Sequence, residues 1–105
     1  MAYKTNVIRT LKTLFFELKK DRIIEIESAY LFGSVVNGKN AMHSDIDLAI
    51  VSDSFTGSRY DDRVKLNPYI LKTNTNIEIH PFTSKEFKVN NPFAKEIMET
   101  GKRIL

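Results

Sequence analysis

Two aspartates, Asp45 and Asp47, stand two residues apart at the head of the most strand-like segment of the chain, Ile46 to Val51 (IDLAIV). Side chains of a strand alternate between faces, so residues i and i+2 point the same way, with Cα atoms about 6–7 Å apart. Ile46, Leu48 and Ile50 then point into the core. Two carboxylates on one face repel each other unless a positive charge sits between them. A hard divalent cation meets that need, and Mg²⁺ prefers carboxylates together with phosphate oxygens. An isolated D-x-D is common, however, and more often marks two solvated carboxylates at a strand end.

Upstream, Leu31-Phe32-Gly33-Ser34 closes another short segment, Ser28 to Phe32 (SAYLF), rich in aromatic and apolar residues. Glycine lets the backbone approach a phosphate closely. A strand that runs into a helical turn presents free N–H groups to an anion. The Ser34 hydroxyl adds a donor. Alone, Gly-Ser reads as a plain turn with a serine cap. A third acidic residue, Glu78, lies in Asn76 to Phe82 (NIEIHPF). It is either a surface residue of an edge strand or the third member of a carboxylate cluster. Three carboxylates can hold two metal ions about 3.5–4 Å apart, as in-line phosphoryl transfer requires. What joins these weak signals is the spacing G-S-x₁₀-D-x-D.

With that spacing in view, LFGSVVNGKNAMHSDIDLAIV resembles the active-site motif of the nucleotidyltransferase superfamily related to DNA polymerase beta. In particular it resembles the minimal nucleotidyltransferases, the MNT proteins of HEPN–MNT toxin–antitoxin pairs. The tail, NIEIHPF followed by NPFAKEIMETG, is similar to that group as well, so the resemblance spans roughly residues 28 to 101. Four residues must agree in spacing and strand context, which makes the motif fairly specific. The resemblance implies a nucleotidyltransferase fold in which Gly33 and Ser34 hold the β- and γ-phosphates of an NTP, with ATP expected. It implies that Asp45 and Asp47 ligate two Mg²⁺ ions and that Glu78, as third carboxylate, ligates metal and helps activate the attacking hydroxyl. The commoner family pattern has Asp there. Glu is one methylene longer, and a misplacement of about 1 Å can cost on the order of 10²-fold in rate. The departure bears on turnover more than on nucleotide binding.

The implied reaction is attack of a hydroxyl on the α-phosphorus with departure of pyrophosphate, giving an AMP or other NMP ester. Larger family members carry a second, helical domain, for which 105 residues leave no room. The expectation is therefore that a partner protein, a HEPN toxin, supplies the acceptor. Two other readings stay open: a non-catalytic module that neutralises its partner by occlusion, and transfer to a small molecule. A polymerase is disfavoured, since no duplex-binding element is evident.

Other polar residues are weighed by position. His80 shares a face with Glu78 and reads as a polar residue on a half-exposed strand. His43 precedes Asp45 and could approach phosphate when protonated. Arg59, Arg63 and Lys65 read as a solvated helix face, and Lys39 as a solvated loop residue. Tyr30 and Phe32 read as packing rather than base stacking.

Composition narrows the setting. Of the 105 residues 42% are hydrophobic and 28% charged, an ordinary globular balance, with room for one domain over residues 1–105. Cysteine is absent, so any metal is held by oxygen or imidazole. The net charge of +3 is mild, and the aromatics do not interleave with the basic residues as in a single-strand binder, so no stable nucleic-acid partner is expected. No apolar run approaches the ~20 residues that span a bilayer. The polar start does not read as a secretory signal, and a cytoplasmic location is expected. A homo-oligomer remains open.

The elements that must position the site follow from periodicity. Val7, Ile8, Leu11, Leu14, Phe15 and Leu18 form one face of a helix. Ser34 to Asn37 is expected as a helical turn and Lys39 to Ser44 as loop. Arg59 to Lys72 reads as helical but broken at Pro68, into a kink or two short helices capped at Asn67. Thr73 to Asn76 is a turn, and Thr83 with Glu86 has capping-box spacing. Asn91-Pro92 starts a last helix that Gly101 ends, with Ile104 and Leu105 as a small edge strand. The expected fold is α/β (α+β): a small mixed sheet in a two- or three-layer arrangement, with helices mainly on one face.

Overall fold

The computed structural model describes residues 2–33, 45–73 and 76–105, with side chains of the first helix from Asn6 onward. The expected turn at Ser34 to Asn37, the Lys39 to Ser44 loop and the centre of the Thr73 to Asn76 turn lie outside the described residues. Helix α1 (Ala2–Lys20) extends the predicted apolar stripe in both directions. Val7, Leu11, Leu14, Phe15 and Leu18 are buried along it, and Lys19 and Lys20 close its last turn, where cations complement the helix dipole.

Strands β1 (Ser28–Phe32), β2 (Ile46–Val51), β3 (Ile77–Phe82) and β4 (Lys102–Arg103) form one sheet in the order β3-β2-β1-β4. It is mixed: β1 runs antiparallel to both β2 and β4, and β2 runs parallel to β3. The parallel pair is joined through helix α2 (Arg59–Lys72), which packs back onto the sheet. Helix α3 (Pro92–Thr100) follows β3.

Strand alternation divides the core. Ala29, Leu31, Ile46, Leu48, Ile50 and Ile79 face α1 and α2, where they meet Leu11, Leu14, Leu66 and Ile70. On the other face Phe32, Ala49, Val51 and Phe82 meet Ala94 and Ile97 of α3. Two of the three described helices thus share one face. Among the described residues no helix is long and apolar enough to cross a membrane.

Three expectations need correction. Helix α2 runs unbroken through Pro68, with its cap at Ser58 and none at Asn67. Leu66 and Ile70, one turn apart and both buried, hold it to the sheet on either side of the proline. Pro68 and Val64 are exposed, so water can serve the carbonyl that the missing N–H leaves free. Second, the edge strand begins at Lys102 rather than Ile104. Gly101 packs its backbone against the carbonyls of Ile97 and Leu31, a fit that a Cβ would obstruct, and so delivers the chain onto β1 at once. Ile104 still extends the ladder, donating to the Ala29 carbonyl at 2.9 Å. Third, β3 is not evenly half-buried, because Ile79, His80, Pro81 and Phe82 are all buried. Pro81 is tolerated there because β3 is an edge strand.

The cap predictions locate the remaining turns. Asn91 accepts from the N–H of Phe93 at 3.0 Å, with Pro92 at the first helical position. Thr83 and Glu86 form the expected reciprocal pair, the Thr83 N–H donating to Glu86 Oε1 at 2.8 Å.

Candidate active site

Register builds the site. Phe32 on β1 stands opposite Asp47 on β2, and Asp47 stands beside Glu78 on β3. All three therefore project from the sheet face that also carries α3. Parallel pairing of β2 and β3 is what turns two carboxylates 31 positions apart in sequence into neighbours. His80, two residues beyond Glu78, points the same way. Asp47, Glu78 and His80 each offer a ligand atom, and these atoms lie within 4.8 Å of one another.

His80 is the buried member, 8% exposed, whereas Asp47 and Glu78 are half-buried. Its Nε2 lies 3.3 Å from Asp47 Oδ1 and 3.6 Å from Glu78 Oε2. Its Nδ1 faces Arg59 Nη2 at 3.4 Å. The ring packs edge-on against Phe32 and Phe93, with centroids 5.0 Å and 5.7 Å away.

Gly33 follows β1 directly with φ +80°, a left-handed conformation that side-chain-bearing residues rarely adopt. A Cβ at this position would collide with Oδ2 of Asp47. The glycine thus brings bare backbone against the carboxylate.

Asp45 is exposed and immediately precedes β2, outside the 4.8 Å group. Ser34, His43 and Lys39 lie outside the described residues. Tyr30 and Phe32 both pack, Tyr30 against Phe87 at 5.2 Å. Arg63 and Lys65 are exposed on α2, as expected for a solvated face. Arg59 departs from that reading through its contact with His80. His80 departs too, since a buried ring between two carboxylates and a guanidinium is no solvated strand residue. The i, i+2 relation of Glu78 and His80 carried that signal, but nothing in the sequence links Arg59 to either.

The loop that presents Arg59 is held from below. Asp62 is buried and accepts from the Thr56 N–H at 2.9 Å, the Thr56 hydroxyl at 3.0 Å and the Gly57 N–H at 3.2 Å. On the far side of the sheet end, Asp53 accepts from the N–H of Ser84 at 2.9 Å and from its hydroxyl at 2.8 Å. The Ser84 N–H, then its hydroxyl, lower the Asp53 pKa below the ordinary carboxylate value.

Chemically, the arrangement offers two neighbouring carboxylates on a rigid sheet, a third just ahead of them, and a backbone turn free of side chain. Hard oxygen donors of this kind suit Mg²⁺. The absent Cβ of Gly33 leaves Oδ2 of Asp47 uncovered on the turn side, as a ligand oxygen requires.

Comparison with known proteins agrees with this geometry. Residues 12–105 match the family model described as "Polymerase beta, Nucleotidyltransferase". No curated protein gives a significant match. Among solved structures, a Sulfolobus solfataricus protein assigned as a nucleotidyltransferase superposes with a TM-score of 0.70 at 16% identity, over 97% of this chain and 82% of its own. A structure of a toxin–antitoxin with AMP-PNP superposes with a TM-score of 0.56 at 20% identity, over 89% of this chain and 71% of its own. At these identities the likeness is one of fold.

Proposed function

The chain belongs to the polymerase beta nucleotidyltransferase family, and from that premise we propose that it transfers AMP from ATP to a hydroxyl on a partner protein, a HEPN toxin that it serves as antitoxin. The observation that carries this reading is the row formed by Gly33, Asp47 and Glu78, which sets a bare backbone turn against adjacent carboxylates. The structural neighbour solved as a toxin–antitoxin with AMP-PNP supports both a protein partner and an adenine nucleotide.

In this reading the N–H groups at Gly33 and Ser34 receive the β- and γ-phosphates. Asp45, Asp47 and Glu78 hold two Mg²⁺ ions. When bound, the ions neutralise the triphosphate and the charge that grows on pyrophosphate. The acceptor oxygen forms a bond to the α-phosphorus, the bond from that phosphorus to the pyrophosphate oxygen breaks, and Glu78 helps draw the hydroxyl proton away. The sheet contributes by fixing Asp47 and Glu78 relative to each other before substrate arrives.

The test combines this protein, labelled ATP, Mg²⁺ and the product of the neighbouring gene. Label on the partner is expected. A partner that binds but is never labelled defeats the enzymatic reading. In that case, neutralisation that survives Asp45→Asn with Asp47→Asn would show occlusion instead.

A further inference from the structure

The inference concerns His80 and Arg59 and rests on the reading of Asp47 and Glu78 as cation ligands. Grouped by distance alone, His80 would be a third ligand. Its hydrogen-bonding partners argue otherwise. Nδ1 faces Arg59 Nη2 at 3.4 Å, and a guanidinium only donates and keeps its protons. The ring nitrogen facing it must therefore be bare, since a protonated one would set two donors against each other. The ring proton then sits on Nε2, which faces Asp47 Oδ1 at 3.3 Å and Glu78 Oε2 at 3.6 Å. An Nε2 that carries hydrogen has no lone pair to give a cation.

From this geometry we propose that Arg59 fixes His80 as the Nε2–H tautomer, and that His80 donates that proton to Oδ1 of Asp47, leaving Oδ2 for the cation. The two oxygens are already distinguished by their surroundings. Oδ1 meets the imidazole, and Oδ2 lies against Gly33, where the turn lacks a side chain. Phe32 and Phe93 pack edge-on against the ring and hold its plane. A donor on one carboxylate oxygen sets the angle at which the other is presented, the role that outer partners play at metal sites. His80 and Arg59 are thus positioning residues: they act through Asp47 and touch neither cation nor nucleotide.

Two measurements on the full chain test this without turnover. The first is the ring nitrogen spectrum of His80 without metal at about pH 8, above the ordinary histidine pKa, with the signals identified by their loss in H80Q. A protonated Nε2 and a bare Nδ1 are expected, and the opposite tautomer overturns the proposal. The second is Mn²⁺ titration followed by the resonance of the free ion. H80L is expected to weaken binding on the order of tenfold. H80Q, whose amide nitrogen reaches where Nε2 stands, should restore most of it. R59M should weaken binding in the parent chain and add nothing in the H80L background. Nitrogen hyperfine coupling to Mn²⁺ would make His80 a ligand. Unchanged affinity in folded H80L would make it a packing residue, and equal effects of R59M in both backgrounds would mean Arg59 acts by its own charge. Each of these overturns the proposal. If H80L does not fold, the spectrum, H80Q and R59M alone in the parent chain decide, with unchanged R59M affinity counting against it. A parent chain that binds no Mn²⁺ removes the cation reading and this one together, which is distinct from binding that the variants leave untouched.

Discussion

Gly33 and Asp47 lie back to back: the glycine holds φ +80°, and the Cβ it lacks would occupy the place of Asp47 Oδ2. The conformation and the close approach are separate demands, and both fall on the residue that ends β1. Gly33→Ala should therefore do more than strain the turn. The left-handed backbone costs an L-residue about 1–2 kcal/mol, to be read as a lowered urea midpoint. The methyl must also displace the carboxylate, so labelling of the partner should fall on the order of 10²-fold, beyond what the lost stability accounts for.

Glu78 stands beside Asp47 across the parallel ladder, so its reach decides turnover. Glu78→Gln keeps the length and removes the charge, and should lower the transfer rate about 10²- to 10⁴-fold, the usual range for a lost proton-transfer group. Glu78→Asp draws the carboxylate back by one methylene from a site arranged around Glu. It should lower the rate while leaving ATP-analogue affinity nearly unchanged. Single-turnover rates and equilibrium nucleotide binding, measured on the same preparations, separate the two effects.

Pro68 interrupts the hydrogen bonding of α2 at an exposed position between two buried anchors, Leu66 and Ile70. Pro68→Ala should restore the bond to the Val64 carbonyl. Against an interior-proline cost of about 3 kcal/mol, part of the gain is offset by greater freedom of the unfolded chain, so about 1–2 kcal/mol of added stability is expected by chemical denaturation.

Asp62→Ala strips three donors of their acceptor in the loop before α2. Leaving buried polar groups unpaired should cost about 2–4 kcal/mol. Because this loop presents Arg59, the same substitution should also weaken Mn²⁺ binding in protein that remains folded.

Acid should release the loop after β3. The folded-state pKa of Asp53 is lowered by the Ser84 N–H and hydroxyl, so its contribution is fully present above the ordinary aspartate value. It is lost as pH falls through the depressed folded value, below about 3.9. Exchange of the Ser84 amide proton should accelerate in that window, and Asp53→Asn should remove the pH dependence.

By itself the sequence determined the local elements and the residue types of the site. The apolar stripe fixed α1, alternation and aromatic content fixed β1 and β2, and Asn91-Pro92 with Gly101 bounded α3, because burial period and capping are properties of near neighbours in the chain. The spacing from Gly33 to Asp47 carried the family resemblance. Only the tertiary structure decided how separate segments meet. Pairing of β2 with β3, which no local signal encodes, placed Glu78 beside Asp47. The sheet decided that α2 continues through Pro68, because packing at Leu66 and Ile70 outweighs a single lost hydrogen bond. It also converted His80 from a residue expected in solvent into a buried ring with a guanidinium on one nitrogen and carboxylates on the other. Those contacts join residues 21 and 33 positions apart, and their energy depends on through-space distance, which a linear pattern does not contain.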